Sequence, residues 1–180
     1  MKKKLGIYIH IPFCVRKCAY CDFLSAPADD ATRESYVRAL REEIRSAGSL
    51  SETYEGATVF FGGGTPSLLA GEELAGILDE VSRRLLLRSD VEITVECNPG
   101  TLNRKKLENY KVAGVNRLSI GLQSADNREL KTLGRIHTWE QFRENYALVR
   151  ELGFSNVNID LMSALPGQTR EGWLSTSPPG

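Results

Sequence analysis

The stretch YIHIPFCVRKCAYC, residues 8–21, runs from an apolar β-strand pattern straight into a loop with three cysteines. Cys14, Cys18 and Cys21 have the spacing C-x3-C-x2-C. Thiolates are the usual protein ligands of iron–sulfur clusters, and a four-iron cluster held entirely by protein takes four of them. Three thiolates on one short loop therefore predict a cluster with one iron left open to bind and activate another molecule.

Two other uses of these cysteines stay open on spacing alone. A structural zinc site would need a fourth ligand, for which the candidates are His10, Cys97 and His137. A Cys18/Cys21 dithiol redox pair would leave Cys14 without a role, and no thioredoxin-like sequence follows the pair. Cys97 by itself is expected to be a small buried residue.

The composition is that of an ordinary globular domain, with 41% apolar and 26% charged residues in a chain of 180. Lys and Arg together number 23, as do Asp and Glu, so no basic excess indicates nucleic-acid binding. No apolar run is long enough to span a bilayer, and the start of the chain lacks the apolar stretch of a signal peptide. We expect a soluble, cytoplasmic α/β domain.

Apolar β-branched segments alternate with segments of helical period. Five buried strands are predicted at residues 5–11, 57–61, 91–96, 117–121 and 156–161. Helices are predicted around residues 36–44, 74–85, 103–114 and 138–153. The last two carry capping signals, at Asn103 and at Thr138 with Gln141, and glycines at their ends.

Polar groups follow every predicted strand. The β-α alternation fits both a doubly wound sheet and an α/β barrel. A barrel builds its active face from the carboxyl ends of all its strands. Those ends carry the cysteine loop, the glycines 62–64, Glu96 with Asn98, Gln123 with Ser124, and Asp160. Polar groups at the carboxyl ends of all five predicted strands favour a barrel-like arc of strands over a doubly wound sheet.

Purely structural roles are also open for the glycine run and for the polar residues of the first strand. GGGTP at 62–66 lacks the G-x-G-x-x-G pattern of dinucleotide sites. Its glycines let the backbone approach a ligand closely, although a tight turn would also use them. Tyr8 and His10 share one face of strand one, where they would be a core aromatic and an interior histidine with its hydrogen bonds made.

The C-terminal residues resemble the start of a sixth repeat. LPGQT at 165–169 predicts a turn into a helix that begins at Trp173, and STSPPG at 175–180 predicts an irregular tail. Five strands leave an open sheet edge with unpaired backbone groups. We therefore expect about five of six barrel strands, a core over residues 1–174, and a longer parent protein.

Several segments together resemble the radical S-adenosylmethionine (SAM) superfamily, and within it the oxygen-independent coproporphyrinogen III oxidase-like group, which includes the heme chaperone HemW branch. The matching motifs, in chain order, are YIHIPFC (8–14), GGGTPS (62–67), ECNPG (96–100), RLSIGLQS (117–124), LGRIHT (133–138) and NIDL (158–161). The resemblance covers residues 5–173 and implies a partial (β/α)6 barrel that holds a [4Fe-4S] cluster and SAM.

The resemblance also implies roles for particular residues. Cys14, Cys18 and Cys21 would each ligate one iron, and the open iron would hold the amino and carboxylate groups of SAM. The residues expected to contact SAM are Tyr8, Gly63, Gly64, Thr65, Glu96, Gln123, Arg135 and Asp160. Carboxylates and carbonyls accept from ammonium or hydroxyl groups, and Arg donates to a carboxylate, so the residue types suit the task. No residue is assigned as catalytic.

Two departures from the oxidases favour the HemW-like branch. The oxidases carry an N-terminal extension and a further cysteine after the third one, whereas here seven residues precede Tyr8 and Asp22-Phe23 follows Cys21. The expected function is to bind heme and deliver it to target proteins. The alternative is oxidative decarboxylation of coproporphyrinogen III to protoporphyrinogen IX by a 5′-deoxyadenosyl radical. The heme-binding region is expected in a C-terminal family domain absent from these 180 residues.

Overall fold

The computed structural model describes residues 2–176 and shows one five-stranded parallel sheet. Its strands are β1 (Lys3–Ile11), β2 (Tyr54–Gly63), β3 (Leu87–Cys97), β4 (Arg117–Gln123) and β5 (Asn156–Leu161). They lie side by side in sequence order, so β1 and β5 form the two edges of the described sheet. A doubly wound sheet reverses its strand order at a switch point, and this sheet does not. The predicted partial barrel is confirmed.

Helices and single 3₁₀ turns connect the strands. The helices are α1 (Asp30–Ser46), α2 (Leu50–Thr53), α3 (Gly71–Arg84), α4 (Arg104–Ala113), α5 (Asn127–Thr132), α6 (Trp139–Glu151) and α7 (Arg170–Thr176). The 3₁₀ turns are Ala47–Ser49, Pro66–Leu68 and Pro99–Thr101. Of the described residues, no helix is both long enough and apolar enough to cross a membrane.

The two faces of the sheet have opposite character. Side chains alternate along a strand, so one set packs against the helices while the other faces away from them. The helix-facing set is apolar, and its fully buried members include Ile11, Val59, Phe61, Val95, Leu118 and Ile120. The other face carries polar groups, among them Glu96, Ser119, Asn158 and Asp160. The same strands thus build the core and present the polar groups.

The predicted helix caps are confirmed. The side chain of Asn103 accepts a backbone N–H of the first turn of α4, and Gly114 ends that helix at φ +98°. Thr138 and Gln141 form the capping box of α6, and Gly153 follows its last turn at φ +78°. Positive φ values favour glycine because it has no Cβ.

The strands are longer than predicted. β1, β2 and β3 begin two, three and four residues before the predicted starts, in segments that contain lysine, glycine or aspartate. Backbone pairing continues there without an apolar pattern to reveal it. At their carboxyl ends β2, β3 and β4 run one or two residues further than predicted, which brings Gly62, Gly63 and Gln123 into the strands themselves.

Two short helices were not predicted, because α2 and α5 have four and six residues and give no readable period. Leu85 lies just past α3 in extended conformation rather than in the helix. The turn at 165–169 is confirmed by the bond from the Gln168 N–H to the Leu165 carbonyl, 2.9 Å.

The last helix also differs from its prediction. α7 begins before Trp173 and continues through Thr176, two residues into the segment predicted to be irregular. The rest of that predicted tail, 177–180, lies outside the described residues.

Candidate functional site

A pocket opens at the carboxyl ends of the strands, with the cysteine loop on one side. Ten of the eleven residues implied for cluster and SAM line it: Cys14, Cys18, Cys21, Gly63, Gly64, Thr65, Glu96, Gln123, Arg135 and Asp160. Tyr8 is the exception. It lies three residues before the carboxyl end of β1, is 59% exposed, and stacks its ring on that of Phe60 at 6.0 Å between centroids.

The cysteine loop is closed at its base by backbone hydrogen bonds. The Cys14 N–H donates to the Ala26 carbonyl (3.2 Å), and the Ala26 N–H donates to the Pro12 carbonyl (3.0 Å). Within the loop, the Cys21 N–H donates to the Cys18 carbonyl (3.2 Å) and forms a turn. The three thiols are free and half-buried. The loop therefore holds three uncommitted sulfurs at the wall of the pocket.

The glycine run packs directly against this loop. The Gly64 N–H donates to the Ile11 carbonyl (2.8 Å), and the Thr65 N–H donates to the Phe13 carbonyl (2.7 Å). A Cβ at Gly64 would lie 2.6 Å from the Phe13 oxygen and 2.9 Å from the Cys14 sulfur, both closer than real contacts allow. The Thr65 hydroxyl donates to that same sulfur at 3.6 Å. The close packing of this segment against the cysteine loop explains why residue 64 is a glycine.

A second contact joins the cysteine loop to the segment after α5. The Ala19 N–H donates to the Leu133 carbonyl (3.1 Å). The Arg16 guanidinium donates from Nε to the Gly134 carbonyl (2.9 Å) and from Nη2 to the Arg135 carbonyl (2.8 Å). These bonds place Arg135 beside the cysteines, although it is far from them in sequence.

Glu96 is the last residue but one of β3 and lies on the pocket face. Its Oε2 accepts the Gly63 N–H at 3.2 Å. Burial raises the pKa of the Glu96 carboxyl, the Gly63 hydrogen bond opposes that shift, and the negative charge of Asp160 reinforces it. A partly desolvated carboxylate of this kind is suited to a cationic or hydroxyl donor.

Asp160 is held by two neighbours on the same face. The Ser119 hydroxyl donates to Oδ2 (3.1 Å) and the Asn158 amide donates to Oδ1 (2.7 Å). Ser119 pairs in register with Glu96 on one side and Asn158 on the other. Ser119 lines the pocket and was not singled out in the sequence, although period-2 alternation from Gln123 would have placed it there.

The end of β4 is strained. Gln123 has φ +72°, which is unfavourable for a residue with a side chain and recurs at functional sites. The strand register shifts between Gly121 and Gln123. Ser124, predicted at the same strand end, points the other way: it is fully buried, donates to Glu129 (2.5 Å) and accepts the Asp126 N–H (3.0 Å). Ser124 therefore anchors α5 instead of lining the pocket.

A closed ring of hydrogen bonds lies behind the pocket wall. The Asn98 N–H donates to the Ser67 hydroxyl (3.0 Å), which lies 2.6 Å from the Thr101 hydroxyl. Thr101 in turn donates to the Asn98 carbonyl (2.8 Å), so the Ser67 hydroxyl is the donor to Thr101. The Lys106 ammonium caps the ring by donating to the Ser67 and Thr101 carbonyls. The ring joins the glycine loop to the end of β3.

His10 connects β1 to the far end of the cysteine loop. Its Nε2 lies 3.1 Å from the Leu24 carbonyl, which can only accept, so Nε2 carries the proton. Nδ1 then accepts from the Tyr8 hydroxyl at 3.3 Å. The expected interior histidine is thus confirmed in its hydrogen bonding, whereas Tyr8 is more exposed than a core aromatic.

Comparison with known protein families identifies the superfamily of this chain. The model of the radical SAM superfamily matches residues 8–176. The chain belongs to the radical SAM superfamily. A radical SAM domain implies a [4Fe-4S] cluster and SAM as cofactors, which agrees with the thiols and polar groups at this pocket.

Individual relatives place this radical SAM chain in the group that contains HemW and HemN. It is 45% identical to the heme chaperone HemW of Escherichia coli over 93% of the chain and 44% of the relative, and 40% identical to HemW of Bacillus subtilis over 90% and 43%. The solved coproporphyrinogen III oxidase HemN of Escherichia coli superposes with a TM-score of 0.90 at 28% identity, over 97% of the chain and 41% of that protein. The radical SAM chain spans less than half the length of these relatives.

The pocket residues fit an iron–sulfur cluster better than zinc. In the part of the chain that the structure describes, no three His, Cys, Asp or Glu side chains converge closely enough to hold one metal ion. A four-iron cluster takes each thiolate at a different iron, so its ligands surround it instead of meeting at a point. The Arg135 Nε is buried without a hydrogen-bond partner in the described residues, which leaves a donor available at the site.

The candidate fourth zinc ligands are engaged elsewhere. Cys97 is buried, its thiol contacts the Val95 carbonyl (3.5 Å), and burial raises its pKa to about 12. The His137 Nε2 donates to the Leu122 carbonyl (3.2 Å), and the ring of His10 has both nitrogens hydrogen bonded. The expectation that Cys97 is a buried packing residue is confirmed.

Proposed function

We propose that this chain is the radical SAM core of a heme-trafficking protein of the HemW kind. In this proposal Cys14, Cys18 and Cys21 ligate three irons of a [4Fe-4S] cluster, and SAM occupies the open iron and the adjoining pocket. The observation that carries the proposal is the meeting of three free, half-buried thiols with the carboxylates of Glu96 and Asp160 in one pocket. When bound, the two cofactors supply one-electron chemistry.

The chain's own residues would bind and orient SAM. Glu96 and Asp160 accept hydrogen bonds from its ammonium or ribose hydroxyls, and Arg135 donates to its carboxylate. The backbone of Gly63 and Gly64 allows the methionine end to approach closely. Gln123 would supply an amide from the strained end of β4, and Thr65 a hydroxyl beside Cys14. Tyr8 would contact SAM from within β1, three residues before the strand ends.

The identity to HemW chaperones supports heme binding and delivery as the wider function. Asp22-Phe23 after Cys21, where the oxidases have a further cysteine, supports the same branch. In this proposal the parent protein binds heme through sequence outside these 180 residues and passes it to heme-accepting proteins. The fold shared with HemN makes porphyrinogen oxidation the competing outcome.

Cluster binding is tested first. The chain is reconstituted anaerobically with iron and sulfide, and its iron, sulfide and electron paramagnetic resonance signal are measured. Cys18→Ser is expected to lose most of the cluster, whereas Cys97→Ala, which removes a thiol that packs in the core, is expected to keep it. Equal cluster content in the two variants would overturn the ligand assignment.

Heme delivery is tested in the gene-encoded protein that carries these 180 residues. The reconstituted protein is loaded with heme and mixed with a heme-free acceptor, and heme transfer is followed by absorption. In parallel it is incubated with SAM, a reductant and coproporphyrinogen III. Heme transfer without porphyrinogen conversion supports the proposal. Formation of vinyl groups on the porphyrinogen would establish the oxidase instead.

A further inference from the structure

The Arg135 guanidinium contacts the sulfur of a cluster cysteine. Its Nη1 donates to Cys18 Sγ at 3.8 Å and to the Tyr20 hydroxyl at 3.3 Å, while Nη2 donates to the Gly121 carbonyl at 2.6 Å. One guanidinium thus bridges the end of β4 and the cysteine loop.

The position of Arg135 relative to Cys18 is set by the backbone. The Leu133 and Arg135 carbonyls both accept donors from the cysteine loop, from the Ala19 N–H and from Arg16 Nη2. Gly134, between them, has φ +75° and a Cα that faces the Ala19 and Cys18 backbone. The guanidinium is therefore fixed against Cys18 by both its side-chain and its backbone contacts.

A second, neutral donor approaches another of the three sulfurs. The Thr65 hydroxyl donates to Cys14 Sγ at 3.6 Å. Hydrogen bonds to the sulfurs of an iron–sulfur cluster are among the levers that set its reduction potential. They stabilise the extra negative charge of the reduced form, and a charged donor does so more strongly than a neutral one. Arg keeps its charge at any ordinary pH.

We propose that Arg135 tunes the cluster, raising its reduction potential through the hydrogen bond to Cys18. The proposal rests on cluster binding as proposed above. Reduction adds one electron, taken from a low-potential one-electron donor, and forms or breaks no bond to the protein. Arg135 makes the cluster easier to reduce because its positively charged guanidinium is held beside a ligand sulfur. This role is separate from any contact that the same guanidinium makes with SAM.

The test is a redox titration of the reconstituted chain without SAM, followed by electron paramagnetic resonance of the reduced cluster. Arg135→Gln removes the charge and is expected to make one-electron reduction at least tenfold less favourable, a downward shift of about 59 mV or more. Lys17→Gln is the matched control, because it removes a positive charge from the same loop. Lys17 donates to the Phe23 carbonyl (3.3 Å) and not to a sulfur.

Each outcome bears on the proposal. A larger downward shift in Arg135→Gln than in Lys17→Gln supports it, and equal shifts overturn it. Arg135→Lys keeps the charge and is expected to lie between wild type and Arg135→Gln. If Arg135→Gln and Arg135→Lys both fail to take up a cluster that Lys17→Gln retains, Arg135 serves assembly and the tuning role is overturned. A wild-type chain without a cluster would defeat the proposed function itself.

Discussion

The hydroxyl of Ser67 lies 2.6 Å from that of Thr101 and closes a hydrogen-bond ring that holds two walls of the pocket together. Ser67 is fully buried, and its Oγ is the acceptor for the buried Asn98 N–H. Ser67→Ala leaves that N–H and the Thr101 hydroxyl each short of a partner. A buried group without a partner costs about 1–3 kcal/mol. We expect the free energy of unfolding in urea to fall by that amount.

Ser82→Ala is the control for this variant. The Ser82 hydroxyl donates to the Leu78 carbonyl within α3, a bond whose acceptor is already paired in the helix. Its loss is expected to change the unfolding free energy by less than about 0.5 kcal/mol, as for most replacements away from special features. Equal destabilisation by the two variants would show that the ring does not stabilise the pocket wall.

Gly64 tests the fit between β2 and the cysteine loop. A Cβ there would lie 2.9 Å from Cys14 Sγ and 2.6 Å from the Phe13 carbonyl oxygen, and the backbone oxygen cannot swing aside. Gly64→Ala is therefore expected to displace Cys14 and to lower the iron and sulfide content after reconstitution. Gly76→Ala is the control, because its Cβ would meet only the flexible Arg41 side chain at 3.5 Å. Equal cluster content in both variants would contradict the close fit.

Much of the site could be predicted because its chemistry is local in sequence. The cysteine spacing, the glycine run and the polar residues at strand ends are each visible within a few positions. Parallel strands bring their carboxyl ends to one edge, so five separate signals predict one pocket. The amino ends of the strands lacked an apolar pattern, and short α2 and α5 lacked a period, so both were missed.

The contacts that assemble the pocket could not be predicted in this way. The Ser67–Thr101 bond and the Arg135–Cys18 bond join residues 34 and 117 positions apart, and no local pattern encodes either. Ser124 shows a different failure. Ser124 lies one residue past the end of β4, and extending the alternation of that strand from Gln123 by one position would have predicted Ser124 on the opposite face.

Glu96 is expected to control SAM affinity. Glu96→Gln keeps an oxygen that can accept the Gly63 N–H but loses the charge offered to a cationic ammonium. A hydrogen bond to a charged group is worth about 1.5–3 kcal/mol, so the dissociation constant for SAM should rise about tenfold to hundredfold. Glu92→Gln, also on β3, is the control, because Glu92 pairs with Arg117. Equal dissociation constants in the two variants would exclude Glu96 from the SAM site.

The pH dependence of SAM binding gives a second readout for Glu96. Burial raises its pKa, so the carboxylate protonates at a higher pH than an ordinary glutamate. Only the ionised form attracts an ammonium, and affinity should therefore fall as the pH drops through this raised pKa. Glu96→Gln has no proton to gain and should show a flatter profile over the same range. Parallel profiles would mean that another group titrates.

His137 is expected to make the fold sensitive to acid. Burial, aided by the charge of Arg135 and opposed by the hydrogen bond to Leu122, lowers the pKa of His137 to about 4. Its Nδ1 is buried without a partner in the described residues, so a proton there would be poorly accommodated. An unfolded histidine has a pKa of about 6.5, and between these two values the unfolded state binds more protons. The contribution of neutral His137 to the free energy of unfolding is therefore fully present above about pH 6.5 and is lost progressively towards about pH 4.

The size of this loss follows from the pKa difference and amounts to about 3 kcal/mol. His137→Gln keeps a donor for the Leu122 carbonyl and does not titrate in this range. Unfolding free energies of both proteins are measured in urea from about pH 7 to about pH 4, so that the titration of other groups cancels in their difference. The advantage of wild type over His137→Gln should shrink as the pH falls. A difference that stays constant across the range would show that His137 does not remain neutral in the folded protein.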